Sequence, residues 1–177
     1  MSPDVSADEL DYVQIDRKLI ELAVEALARA KRARLKVVTA ESCTGGLIAT
    51  VLSEAPGASE YFVGGFVTYT PEQKCVALKL DAKLIDRYGA VSAEVADAMA
   101  RGALDNSQAD IAVSVTGVAG PEPDERGNPV GLVYFASARK AGKCLGLRRE
   151  FGDIGRSHVR YGAASEVLRL IARVSKT

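Results

Sequence analysis

Leu35-Lys36-Val37-Val38-Thr39-Ala40 is a short run rich in β-branched residues, and it leads directly into Glu41-Ser42-Cys43-Thr44-Gly45-Gly46 and an apolar stretch from Leu47 to about Glu54. The first segment reads as a buried strand. The glycine pair reads as a tight turn that opens a helix. A strand that enters a helix through so few residues must be covered by helices, which points to an α/β fold. The rest of the chain continues the alternation.

Ile15, Leu19, Leu22, Ala23, Ala26 and Leu27 recur at helical spacing and predict a first amphipathic helix, preceded by a polar tail over residues 1–14. Pro56 and Gly57 close the helix that follows Gly46. Residues 61–69 then read as a strand, with a bulge at Gly64 and Gly65. Thr70-Pro71-Glu72-Gln73 is a helix start, with Thr as N-cap, Pro at the first helical position and Gln where a capping box places it. Lys74 therefore falls in a first helical turn. A short helix is expected over residues 81–88, closed by Gly89, and Ser92 caps another in which Val95, Met99, Ala103 and Leu104 share a face. Residues 111–116 form a strand running into Gly117-Val118-Ala119-Gly120, and the charged loop 121–129 follows. Residues 130–138 and 143–151 read as a hairpin, and a final helix carries Val159, Ala163, Val167, Leu168 and Ile171. The expected architecture is a three-layer α/β/α single domain with a mixed, mostly parallel sheet.

Composition removes several classes of function. The 23 Lys and Arg residues equal the 23 Asp and Glu, so the overall field attracts neither nucleic acid nor an anionic membrane. No apolar stretch approaches the roughly 20 residues of a spanning helix, and the acidic, polar opening MSPDVSADELDY is unlike a signal peptide. Three widely spaced cysteines, Cys43, Cys75 and Cys144, fit a reducing compartment, with the cytoplasm as the expected location. His158 is the only histidine, which excludes a His-rich metal site.

Ligands on such sheets collect at the carboxyl ends of strands, where both Ser42 and the Thr116-Gly117 turn fall. Ser42 lies where helix-opening amides would stabilise an oxyanion, although a serine here equally suits a helix cap. A serine nucleophile needs a base, and Lys74 is the leading candidate, against its alternative as a solvated surface lysine. Tyr69 could relay a proton or simply end a strand. Thr116 to Gly120 could cradle an anion or form an ordinary turn. Arg156 and Arg160, four residues apart on a helix, could grip a phosphate or form a solvated basic face. Cys43 is a competing nucleophile, or a small buried side chain.

Taken together, the blocks Thr39 to Gly46, Gly65 to Tyr69 with Lys74, Gly89-Ala90-Val91-Ser92, Val115 to Pro121, and Pro129-Val130-Gly131 resemble the CinA C-terminal-domain family, in order, from about residue 15 to residue 177. Standalone members of that family are nicotinamide mononucleotide deamidases, which release ammonia and leave nicotinate mononucleotide without a metal or cofactor. The resemblance implies Ser42 as nucleophile, Lys74 as base and Tyr69 as helper, with substrate held by Thr44, Gly45, Gly46, Thr116, Gly117, Ala119, Gly120, Arg156 and Arg160. The implied oxyanion donors are turn amides near Thr44 and Gly45. Expected partners are a small nucleotide and further copies of the chain, as a homodimer or higher homo-oligomer. Two segments depart from the family pattern. Thr70-Pro71-Glu72-Gln73 replaces a common Ser-Asn-Glu-Ala, and Glu122 to Asn128 replaces a glycine-rich loop. The competing functions are a non-catalytic nucleotide-binding paralogue that keeps the pocket, and a cysteine-dependent hydrolase acting through Cys43.

Overall fold

Asp16 opens the first helix, α1 (Arg17–Ala33), by accepting hydrogen bonds from the amides of Lys18 and Leu19. The structure, a computed structural model, describes residues 15–140, 142 and 144–176; the expected tail over residues 1–14 lies outside them. After α1 come β1 (Val37–Glu41), α2 (Leu47–Ser53), a single 3-10 turn at Ala58–Glu60, and β2 (Phe62–Val67). Then follow α3 (Pro71–Leu78), α4 (Ala82–Tyr88), α5 (Ala93–Asp105), β3 (Ile111–Gly117), β4 (Leu132–Arg139), β5 (Leu145–Glu150) and α6 (Arg156–Val174). Among the described residues no helix is long and apolar enough to cross a membrane.

The sheet order is β2-β1-β3-β4-β5. β1 pairs in parallel with β2 and β3, while β4 runs antiparallel to both β3 and β5. Four strands thus point one way and β4 alone opposes them, which is the mixed, mostly parallel sheet expected. The chain leaves β1 to one side for β2 and returns across it to the other side for β3. The carboxyl ends of β1 and β3 therefore flank the point where strand order reverses, where open α/β sheets leave a crevice.

Side-chain size differs between the two faces. Val37, Ile111, Val113, Val115, Val133 and Phe135 meet α1, α2 and α6 on one face. On the other, Val38, Ala40, Ala112, Ala136 and Ala138 meet α5, which presents Ala96, Ala100 and Ala103. Small residues on both sides let α5 lie close to the sheet, close enough for Ser114 Oγ to donate to the Ala96 carbonyl at 2.6 Å.

The bulge lies one residue ahead of its expected position. Val37 pairs with Phe62 and Val38 with Gly64, leaving Val63 as the extra residue. Gly65 has a separate reason to lack a side chain, since a Cβ there would come within 2.5 Å of Thr39 Oγ1 and 2.9 Å of Ala49 Cβ. Its absence lets α2 settle on the sheet beside β2.

Candidate active site

Glu41, the last residue of β1, organises the turn that carries Ser42. Its side chain is fully buried. Burying a carboxylate is costly unless donors surround it, and here they do. Oε2 accepts from Thr44 Oγ1 at 2.8 Å and from the amides of Gly46 and Ile48 at 3.1 Å each. Oε1 accepts from the Ala49 amide at 2.7 Å. The carboxylate thus takes up the orphan donors at the start of α2 and complements its dipole.

This arrangement revises the expected substrate contacts. The Gly46 amide belongs to Glu41, and the Gly45 amide donates to the Ser42 carbonyl at 3.0 Å. Neither glycine amide is open to a ligand. Among the described residues, the turn amides left without an acceptor are those of Cys43 and Thr44. The open donors therefore lie one residue earlier than the Thr44–Gly45 pair expected.

Lys74 reaches this turn from α3. Thr70 caps that helix through the Gln73 amide at 3.3 Å, which sets Lys74 in the first turn and directs it inward. Its side chain is 1% exposed, and its Nζ donates to Ser42 Oγ at 2.9 Å and to the Thr68 carbonyl at 2.8 Å. The lysine is a core residue, not a solvated one. Burial lowers its pKa from 10.5 to about 8, so a substantial neutral fraction exists near neutrality.

Cys43 is buried beside Ser42, and burial pushes its thiol up to about 12. A thiol with that value supplies almost no thiolate at neutral pH, which removes the basis for Cys43 as the nucleophile. His158 is exposed near the start of α6 and lies outside the cleft lining.

The cleft above Ser42 has a volume of about 250 Å³. Ser42, Lys74 and Tyr69 share it with Thr116, Gly117, Ala119, Gly120 and Arg156, and with Ala90, Val91, Glu122 and Asp124. Thr44, Gly45, Gly46 and Arg160 stand outside the lining. Arg160 turns away from the ligand space and donates to the Thr44 carbonyl at 2.8 Å through Nη2 and 3.3 Å through Nε. It braces the Ser42 turn from α6.

Tyr69 is half exposed, and its hydroxyl accepts from Arg156 Nη2 at 2.6 Å. Arg156 Nη1 donates to the Gly120 carbonyl at 2.7 Å. The tyrosine is therefore tied to the mouth of the cleft and makes no hydrogen bond to Ser42 or Lys74. Thr116 Oγ1 is also committed, donating to the Ala90 carbonyl at 2.7 Å. Among the described residues no three His, Cys, Asp or Glu side chains cluster to hold a metal.

Two contributors carry no signal in the sequence. Glu41 has partners three to eight positions ahead, within the turn and the first turn of a helix. Thr68 acts through its carbonyl, for which residue type carries no signal.

Comparison with known proteins places the chain in a family. The CinA C-terminal domain family matches residues 19–175. The chain is 47% identical over 133 residues to a CinA-like protein of Colwellia psychrerythraea, covering 75% of this chain and 31% of that relative. The chain spans about 30% of the length of the first curated relatives it matches. It is 43% identical over 150 residues to the nicotinamide-nucleotide amidohydrolase PncC of Enterobacter agglomerans, covering 84% of this chain and 90% of that protein. The crystal structure of the competence/damage inducible protein CihA from Agrobacterium tumefaciens superposes with a TM-score of 0.88 at 38% identity, covering 93% of this chain and all of that one. With sequence and fold matched across nearly the whole length, the chain belongs to the CinA C-terminal domain family.

Proposed function

We propose that the chain is an amidohydrolase that converts nicotinamide mononucleotide to nicotinate mononucleotide and ammonia, with Ser42 as nucleophile and Lys74 as base. The observation that carries this reading is the 2.9 Å contact between a buried, pKa-lowered lysine and the hydroxyl of a serine at a strand-to-helix turn. The likeness to PncC of Enterobacter agglomerans supports the substrate.

In its neutral form Lys74 has two protons and one lone pair. One N–H stays on the Thr68 carbonyl, which aims the lone pair at the Ser42 hydroxyl. Ser42 Oγ attacks the carboxamide carbon as its proton passes to Lys74. The oxygen of the tetrahedral intermediate is negative, and the unpaired amides of Cys43 and Thr44 are the donors nearest in sequence to the nucleophile. Lys74 then protonates the departing nitrogen, the C–N bond breaks, and ammonia leaves an ester on Ser42. Water attacks that ester, giving one proton to Lys74, which returns it to Ser42 Oγ. The acid is released and the amine is again neutral.

Arg156 is the cation that faces the cleft and suits the phosphate. Arg160 acts through the turn that it braces. Tyr69 serves as the hydroxyl that holds Arg156 in place.

The test is incubation of the purified protein with nicotinamide mononucleotide while ammonia and nicotinate mononucleotide are measured, with Ser42→Ala as control. Equal amounts of both products, absent from the control, are expected. Failure to form either at any pH between 6 and 10, on the order of two units around the Lys74 value, would favour a binding protein that keeps the pocket.

A further inference from the structure

The cleft mouth carries one feature that the amidase chemistry leaves unused. Beyond Ser42 and Lys74 the cleft is lined by three charged side chains: Arg156, Asp124 and Glu122. Asp124 is committed to its own loop. Its Oδ1 accepts from the amides of Arg126 and Asn128, and its Oδ2 from Asn128 Nδ2. Glu122 is exposed and has no hydrogen-bond partner among the described residues. It is the carboxylate in the cleft with acceptor capacity to spare.

The loop that carries Glu122 is held at both ends. The Gly120 carbonyl accepts from Arg156 at 2.7 Å. At the far end, Arg126 crosses to the last turn of α4, where its guanidinium donates to the carbonyls of Ile85, Asp86 and Arg87. The Ile85 carbonyl also takes the Gly89 amide at 2.8 Å, and all three carbonyls stand at the negative end of a helix, where a guanidinium is well placed. Gly89 makes room for this clasp, since a Cβ there would lie 2.7 Å from Arg126 Cδ. Glu122 is therefore presented from an anchored rim.

Position and chemistry then define what Glu122 meets. A ligand cleaved at Ser42 puts its carboxamide and the attached ring at the buried floor, so the exposed mouth faces what extends from the ring. An anionic end would pair with Arg156. The remaining group, facing a free carboxylate, must donate hydrogen bonds, and two adjacent hydroxyls fit the two oxygens of one carboxylate. Resting on the amidase reading above, we propose that Glu122 is a specificity-determining residue that recognises the vicinal hydroxyls of the substrate's ribose.

The test compares nicotinamide mononucleotide with its 2′,3′-dideoxy analogue, which has the same cationic ring and phosphate. Glu122→Gln should lower kcat/KM for the ribonucleotide about tenfold, mostly through KM, the scale of one lost charge-assisted hydrogen bond. For the dideoxy analogue the loss should be less than about twofold. Arg126→Ala, which frees the rim from α4, should reproduce the same sugar-dependent loss from outside the cleft. Equal losses on both nucleotides would mean that Glu122 senses the ring's positive charge, and would overturn the proposal. So would no loss on either. A parallel titration of Ser42→Ala with nicotinamide mononucleotide separates the two readings. Turnover with the wrong Glu122 pattern sinks the sugar contact alone, whereas no turnover and no binding sink both.

Discussion

Lys74 Nζ lies 2.9 Å from Ser42 Oγ, although 32 residues separate the two in sequence. Three elements create the contact: β1 delivers Ser42 at its carboxyl end, the chain leaving β2 offers the Thr68 carbonyl, and α3 turns Lys74 inward. Neighbouring parallel strands fix the first two relative to each other, because the Thr68 amide donates to the Glu41 carbonyl at 2.8 Å.

Exchanging the two candidate nucleophiles gives the most direct test of the mechanism. Ser42→Ala should reduce ammonia release by roughly a thousandfold or more. Cys43→Ala should leave kcat within a few-fold, since the Cys43 thiol stays protonated. Loss of turnover on thiol alkylation of the unaltered protein, with Ser42→Ala still active, would reverse the assignment.

The pH profile of kcat/KM follows from the Lys74 value of about 8. In the proposed mechanism the neutral amine is the active form, so the rate should climb about tenfold per unit below that value and level off above it. Lys74→Arg keeps the charge but cannot release its proton in this range, and activity should fall by about 10²–10⁴-fold. A normal rate with an unshifted profile would mean that Lys74 contributes only a positive charge.

Stability should also rise with pH, but across a higher window than the rate. The folded-state pKa of Lys74 lies below its ordinary 10.5, so between about pH 8 and 10.5 the unfolded chain holds more protons than the folded one. Its contribution to stability therefore rises with pH across that window, and below it the buried ammonium costs about 3 kcal/mol. Lys74→Met should be inactive yet more stable than the parent at pH 7, with the difference shrinking toward pH 10.5. Chemical denaturation at several pH values measures this.

Glu41→Gln offers a donor where the turn supplies only donors. It should destabilise the fold by about 2–4 kcal/mol, the scale for disrupting a buried charged network. Turnover should also fall at temperatures where the protein remains folded, because Ser42 rides on the same turn. Unchanged kcat in a destabilised but folded Glu41→Gln would show that the turn keeps its shape without the carboxylate.

The elements themselves were legible in the sequence because their signals are local. Thr70, Ser92 and Asp81 each stand at a helix start, where their side chains accept hydrogen bonds from the first helical turn, and Pro71 takes the first helical position. Strand β1 starts two residues later than its composition suggests, at Val37. Before it, the Lys36 amide is captured by the Asp110 carboxylate at 2.9 Å. The strand continues through Glu41, which reads as a turn residue because its charge looks exposed. Ser42 and Lys74 were recognisable from their motifs, but the burial of Lys74 was not, since a lysine in a first helical turn carries no mark of what will cover it. The duties of Arg160 and Tyr69 were hidden for the same reason: their partners, Thr44 and Arg156, lie 116 and 87 residues away.

The β4–β5 connection leaves the sheet where Arg139 pairs with Ile111, at the end of β3 opposite Gly117. Everything lining the cleft from Ser42 to Asp124 precedes that connection, and Arg156 follows it. A chain severed there would yield one fragment with the reactive pair and another with β5 and α6, whose Ala163, Val167 and Ile171 belong to the core on the α1 side. Neither fragment could close the cleft alone. On the amidase reading, two proteins fused to them should restore ammonia release only on meeting, so the end of the sheet opposite the cleft is the natural place to build a split reporter.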